Sequence, residues 1–469
     1  MSLSTSTVPL IYRLKGGHSS PNKERSGQAQ FRILIKGTTL CLLILTLYAS
    51  FFTLRLSCAE EYKFEAAEVE KKPYHIGGYV EFFPMLFGID RNASQYKLNF
   101  YNRTVGATTP EYDGTLQLEG SLEKGISRFY IKTNTSYTNN YAVETTRNRI
   151  FEANLSLKPS PAFVGELGKK TLNWGKGYAW NPAAFLDRPK NPDDPELARE
   201  GYIVASLDYT KSWDSPLKTF SFTPVLVPTY TGVNDDFGET GHLSGASKSY
   251  FLLYDTDIDL MFLTGGAKTT RYGADFSRNI GTNLEVHGEF SLVNSNQKVS
   301  IDANGNTYQS AYGAKNYLLG LRYLTEKDTT YIFEYYRNGA GYSPKEMRDY
   351  FLFVDNGYNT YLRTGNPSQL NKANMLSQNN YGRPNPATNY LYLRVSQKEP
   401  FDILYFTPAI TWIANIDDKS CSLAPELLYT GFTNWELRLR SIFVMGPKET
   451  EFGEKQNDYR VDFRIRYYF

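Results

Sequence analysis

The sequence predicts an all-β fold, a transmembrane antiparallel β-barrel of about 16–18 strands. Three observations carry the prediction. Apolar and polar residues alternate with period two along many segments. Aromatic content is 15%, with 37 tyrosines, in a chain whose mean hydropathy is negative. Beyond residue 59 no apolar stretch is long enough to cross a bilayer as a helix. The nearest, Leu252 to Leu263, is interrupted by Asp255, Asp257 and Asp259.

The final segment shows the pattern best. Tyr459, Val461, Phe463, Ile465, Tyr467 and Phe469 alternate with Arg460, Asp462, Arg464, Arg466 and Tyr468. Only a strand with one apolar and one wet face explains this. The same alternation places Leu116 and Leu118 against Gln117 and Glu119, and Leu155 and Leu157 against Asn154 and Ser156. It recurs at Leu284–Leu292, Leu391–Ser396 and Glu436–Arg440. Tyr96, Leu98 and Phe100 are read as a further strand. About 18 such segments fit between Gly77 and Phe469, and no segment after the leader is read as having a 3.6-residue period.

Connections are rich in Gly, Asn, Asp and Pro. The long ones are expected at Leu172–Gly201, Thr229–Lys248, Asn294–Lys315, Asn338–Asn389 and Gly446–Asn457. With the N-terminus in the periplasm, odd-to-even connections should be the long ones. The connections near 294, 338 and 446 obey this, whereas Leu172–Gly201 and Thr229–Lys248 break it. One strand in the first half is therefore miscounted.

The N-terminus separates from the rest. A basic region, an apolar run from Thr38 to Leu54 and Ser57-Cys58-Ala59 read as a signal peptide over residues 1–59, cut before Glu60. Residues 60–76 read as a short periplasmic tail, and 77–469 as the barrel. The leader holds seven of the 51 basic and one of the 49 acidic residues. The remainder has 44 against 48, a net charge of −4, which gives no support to nucleic-acid binding. Cys41 and Cys58 leave with the leader, so Cys421 alone remains and neither an intrachain disulfide nor a cysteine metal cluster is available.

Two motifs resemble a known class. The terminal strand ending in Phe469 resembles the C-terminal signature of Gram-negative outer-membrane barrels. The resemblance implies that Phe463, Ile465, Tyr467 and Phe469 are read by the barrel-assembly machinery. The stretch from Gly168 through Trp174-Gly175 to Asn181-Pro182 is similar to one found in porin-like barrels of poorly characterised families. A TonB-dependent receptor is not expected, since it needs about 22 strands and an N-terminal plug, while only Glu60–Ile76 would precede the first strand.

Within the barrel, alternation assigns the lumen residues. Asp257, Asp259, Asp275, Glu285 and Glu289 form an acidic arc, with Arg271 among them. Arg394, Arg438, Arg440, Arg460, Arg464 and Arg466 form a basic arc, with Glu436 and Asp462 among them. About seven strands separate them in an 18-strand ring, so they would set a transverse field across a pore. Cross-strand salt bridges are the alternative reading, since Asp462 neighbours three arginines. The segment Leu172–Gly201 carries Trp174, Trp180, Asp187 and Arg188, with Pro182, Pro189, Pro192 and Pro195 stiffening it. It would either fold inward as a constriction or lie outside as a loop, with its tryptophans as interface anchors.

Catalytic barrels need a histidine beside a nucleophile or carboxylate. His75 is placed before the first strand, His242 near Asp235, Asp236 and Glu239, and His287 in the lumen between Glu285 and Glu289. No nucleophile motif accompanies them, so no enzyme, metal or cofactor is expected. The function expected is a porin-like channel for passive diffusion of small hydrophilic solutes in the outer membrane. The alternative is a scaffold barrel that docks an electron-transfer cytochrome or a polysaccharide-export complex. Monomer, homotrimer and partner-bound forms stay open, and a pull-down in mild detergent separates them.

Overall fold

The computed structural model describes residues 72–469, so the leader, its cleavage site and tail residues 60–71 lie outside the described residues. Eighteen strands form one sheet: β1 (Tyr74–Ile89), β2 (Thr108–Lys124), β3 (Ser127–Asn140), β4 (Glu144–Ser160), β5 (Phe163–Lys170), β6 (Tyr202–Ser212), β7 (Leu217–Thr229), β8 (His242–Leu253) and β9 (Thr256–Thr264) make the first half. β10 (Arg271–Ile280), β11 (Leu284–Ile301), β12 (Thr307–Leu324), β13 (Thr329–Arg337), β14 (Asn389–Gln397), β15 (Phe406–Asn415), β16 (Ser420–Tyr429), β17 (Trp435–Met445) and β18 (Asn457–Tyr468) complete it. Each strand pairs antiparallel with its sequence neighbours, and β1 pairs with β18 to close the ring. The closing ladder ends on the last residue. Phe469 donates its N–H to the Gly78 carbonyl at 3.1 Å and accepts from the Gly78 N–H at 3.0 Å. Closure leaves no free sheet edge, which a bilayer requires.

The outer face is an exposed apolar belt. Val80, Phe82 and Leu86 on β1, Leu116 and Leu118 on β2, Phe290 on β11, Leu319 and Leu321 on β12, Leu439 and Phe443 on β17 and Phe463 on β18 all face outward. So contiguous an apolar surface belongs in lipid. The chain is a transmembrane barrel. β1 starts at Tyr74, three residues before the expected Gly77, and His75 lies within it.

The connections sort by length onto two ends. Even-to-odd turns, such as 125–126, 161–162 and 254–255, never exceed the eight residues of 398–405. The long ones, 90–107, 171–201, 230–241, 338–388 and 446–456, are all odd-to-even. The two apparent violations of this rule therefore vanish. Their cause is Tyr96–Phe100, which is not a strand but lies in helix α1 (Ser94–Phe100) inside the first long connection. Residues two apart on a helix point to roughly opposite sides. Tyr96 and Phe100 pack with Ala93 and Val105, while Leu98 packs into a different cluster with Tyr350 and Phe351. A helix buried on both sides thus imitates strand alternation; the false strand inverts the parity of the connections at 172 and 229, and a real strand left uncounted before 294 restores it.

The connection expected over Asn294–Lys315 is also corrected. β11 runs on to Ile301, and β12 starts at Thr307. The ladder shifts register between Val293 and Asn296, and beyond that point few residues need an apolar lipid face. The far end of the hairpin is polar in sequence, from Asn294 to Ser300 and from Thr307 to Ser310, so the alternation signal is lost there.

Helix α2 (Pro344–Thr364) and helix α3 (Ser368–Leu376) correct the expectation that no helical period exists. α2 has a capping box between Ser343 and Glu346, Pro344 in its first turn and Gly365 at φ 71° as its C-cap. Met347, Tyr350, Phe351 and Val354 are buried at helical spacing. These helices tie distant parts of the rim. Glu346 pairs with Lys298 of β11 at 2.7 Å, and Asp355 with Lys97 of α1 at 2.9 Å. β11 and β1 stand eight places apart in the ring. Tyr350 and Tyr342 stack on opposite sides of Tyr381, each with centroids 4.1 Å apart.

Candidate functional site

Residues 171–201, between β5 and β6, contain no helix or strand. A chain without a ladder must find partners for its buried N–H groups elsewhere. Here the barrel wall supplies them as carboxylates. Glu289 of β11 accepts from the Gly177 N–H at 2.6 Å and the Ala183 N–H at 2.9 Å. Glu334 of β13 accepts from the Ala179 N–H at 2.8 Å and from the Tyr178 N–H. His287 holds Glu334 in turn at 2.8 Å and stands 3.5 Å from Glu285. Lys176 reaches Asp259 of β9 at 3.2 Å. Asp187 organises the segment internally, accepting from the N–H groups of Leu172, Asn173 and Trp174 at 3.0, 3.0 and 2.8 Å.

Apolar packing follows the same contour. Trp180, 4% exposed, stacks on Tyr336 with centroids 5.2 Å apart and abuts Tyr390 and Tyr392. Trp174 and Phe185 join a buried cluster with Val204, Val225, Val227 and Met261 of β6, β7 and β9. Trp174 and Trp180 are therefore inside the barrel, and the interface-anchor reading is corrected. Gly273 of β10 makes room for the segment, since a Cβ there would lie 2.9 Å from the Phe185 ring. Residues 174–190 thus form a first lobe seated on β6–β14.

A second lobe, around residues 191–198, reaches the opposite wall. Asp194 meets Arg464 of β18 at 2.8 Å and Arg438 of β17 at 3.6 Å. Arg440 donates to the Asp193 carbonyl at 2.6 Å. Burial alone would raise the Asp194 carboxyl, but Arg464, Arg438 and Arg440 outweigh it and hold Asp194 below the ordinary carboxylate range. At the base, Glu200 pairs with Lys169, Arg149 and Arg188, and Arg188 also meets Asp236. The segment therefore lies within the lumen and touches both walls.

The acidic arc on β9–β11 and the basic arc on β14, β17 and β18 do not simply face each other, because residues 171–201 lie between them and contact both. Asp259, Asp275 and Glu289 are 1–3% exposed. Lys176 and the Glu289-bound amides of the first lobe sit against this wall. Nearer the turns, Asp257 accepts from the Tyr250 hydroxyl.

The basic arc is a ladder of ion pairs. Arg394 meets Glu426 at 2.9 Å, and Arg438 meets Glu436 at 3.2 Å. Arg440 and Arg460 share Asp462 at 3.3 and 2.9 Å. Arg464 and Arg466 share Glu81 at 3.3 and 2.6 Å. Elsewhere, β2–β4 turn Gln117, Tyr130, Lys132, Glu152 and Asn154 to the interior. Tyr130 there donates to Glu119 at 3.1 Å, and Lys132 pairs with Glu152 at 3.4 Å.

Sequence reading missed Glu81, Glu334 and Glu426. The signal was present, since Glu81 lies between Val80 and Phe82, and Glu334 between Phe333 and Tyr335. His242 opens β8 beside Gly266, and the neighbouring Asp236 is engaged by Arg188 instead.

Glu451, in the 446–456 connection, is buried and accepts from the Tyr390 hydroxyl at 2.6 Å and Asn415 Nδ2 at 3.0 Å. Burial pushes its carboxyl up to about 7 from an ordinary 4.5. The folded connection keeps a proton that an unfolded one gives up, so its stability is full below 4.5 and lost as pH rises to about 7. Amide exchange in 446–456 should accelerate across that window beyond its intrinsic pH dependence, and Glu451→Gln should remove the excess.

No family model matches the chain, and no curated protein matches it. Among solved structures it is similar to a triple mutant of Rhodopseudomonas blastica porin, at 9% identity and a TM-score of 0.43. An engineered protein studied for asymmetric conductivity matches at 10% identity and a TM-score of 0.42. Each match covers 84% of this chain and 100% of the other. The hydrogen-bonded ring and its apolar belt establish the barrel without them.

Proposed function

We propose that the protein is a porin-like channel of the bacterial outer membrane, passing small hydrophilic solutes by passive diffusion. One observation carries the reading: a closed ring of 18 strands with a polar, charged interior, narrowed by an inward segment bound to both walls. A ring of that size is wide enough for a lumen, whereas eight strands are filled by side chains. The segment 171–201 then acts as the constriction, and solutes pass between it and the polar faces of β1–β5. No catalytic step or cofactor is needed. Phe469 and the outward residues Phe463, Ile465 and Tyr467 serve as the assembly signal, with outer-membrane lipid around the belt.

Proteoliposomes in a panel of neutral solutes should swell at rates that fall with solute size, and size-independent exclusion would contradict the channel. The arginine ladder should set ion preference. Six arginines there meet five carboxylates: Glu81, Asp194, Glu426, Glu436 and Asp462. Replacing Arg460 and Arg466 by Gln leaves the Arg464–Asp194 contact in place. Reversal potentials in a salt gradient should move toward cation preference, and an unchanged potential would show that the ladder only braces the wall.

A further inference from the structure

On the turn side of the first lobe lies a recess of about 270 Å³, between the lobe and β5–β8. Leu172 and Trp174 line it from the segment. Its strand walls carry Glu166 and Lys170 on β5, Asp208 on β6, Thr223 on β7, and Lys248 and Tyr250 on β8. It is much larger than a water site and suits a small organic solute.

The charged groups in this wall already have internal partners. Lys170 pairs with Glu166, and the Thr223 hydroxyl donates to Asp208. Lys248 lies 3.8 Å from Asp259, and the Tyr250 hydroxyl donates to Asp257. Two ammonium groups, Lys170 and Lys248, and two carboxylates, Glu166 and Asp208, line the recess itself, so the lining carries no net formal charge that selects an anion or a cation. What remains is a dense set of spare donors and acceptors at fixed positions. An ammonium has three donors and a carboxylate several acceptor sites, and one internal partner uses only part of either. A hydroxyl both donates and accepts, so a vicinal diol can bridge an ammonium and a carboxylate. Trp174 and Tyr250 add ring surface for the C–H faces between hydroxyls.

We infer that this recess is a binding subsite for a neutral polyol of monosaccharide size, met beside the constriction. The inference rests on the channel reading, and it names the solute class that the channel favours.

The probe is glucose, added to a planar bilayer holding the full-length protein. Glucose should lower the ion current saturably. Asp208→Asn with Thr223→Val should raise the half-blocking concentration by about tenfold or more, equivalent to about 1.4 kcal/mol. Ser221→Ala, a milder change in the same lining, should raise it less. A linear fall in current that tracks viscosity, the same in wild type and variants, would overturn the subsite while leaving the channel intact. Block by glycine at lower concentration than by glucose would overturn the neutral-polyol assignment. If no current is seen at all, the channel reading fails, and glucose titrated calorimetrically into the detergent-solubilised protein decides the subsite alone. Saturable heat lost in the double variant supports it, and its absence overturns it.

Discussion

Asp194→Ala is expected to raise single-channel conductance. The second lobe has two ties to the β17–β18 wall: the Asp194 carboxylate on Arg464 and Arg438, and the Asp193 carbonyl on Arg440. The Asp194 and Arg464 side chains are only 10% and 6% exposed, so solvent screens this pair weakly. Removing one partner of a buried pair costs about 3–5 kcal/mol, because the other charge is left without compensation. Arg464 keeps Glu81 at 3.3 Å, which softens the loss but leaves the lobe without its main tie. The ring does not depend on the lobe, since β17, β18 and β1 are joined by their own ladders. The variant should therefore assemble normally, with its heat-modifiable gel mobility unchanged, and conduct more. Unchanged conductance would mean that residues 191–198 do not border the conducting path.

Replacing Glu289 and Glu334 together by Leu should release the first lobe. The change orphans the N–H groups of Gly177, Tyr178, Ala179 and Ala183, at roughly 1–3 kcal/mol for each one that stays buried. It also leaves His287 without its closest partner. The cheapest response is for residues 176–183 to leave the wall and hydrogen-bond water. Trp180 would then lose its tyrosine cage, its fluorescence would shift to the red, and the segment would become open to protease. Gly177→Val tests the same seat sterically, because a Cβ there would fall 2.2 Å from the Trp180 carbonyl oxygen. Unshifted Trp fluorescence and continued protease resistance in both variants would show that the lobe is held by its apolar packing alone.

Most of the barrel was legible because lipid enforces period two on every strand that crosses it. The same alternation grouped the arginines of β17 and β18 on one face, and the fold pairs them with carboxylates. Legibility failed where lipid is absent. The β11–β12 hairpin continues into a polar stretch packed on α2, and α1 alternates because two clusters bury its opposite sides. α2 carried readable signs, from the Ser343–Glu346 capping box to the spacing of Met347, Tyr350, Phe351 and Val354, inside a stretch that otherwise reads as irregular. The seat of residues 171–201 was only half legible. Its prolines and tryptophans marked it as unusual. Its partners Glu289, Glu334 and Arg464 lie between 100 and 300 residues away, and no local pattern pairs an irregular backbone with such distant side chains. The acidic arc shows the same limit: alternation turned it inward, but only the fold shows that it meets the segment instead of water.

The most direct test is planar-bilayer recording of the purified full-length protein. The account predicts discrete, ohmic conductance steps, with larger steps once Asp194 is replaced. A protein that inserts stably, shows the heat-modifiable mobility of a barrel and yet carries no current in either form would contradict it.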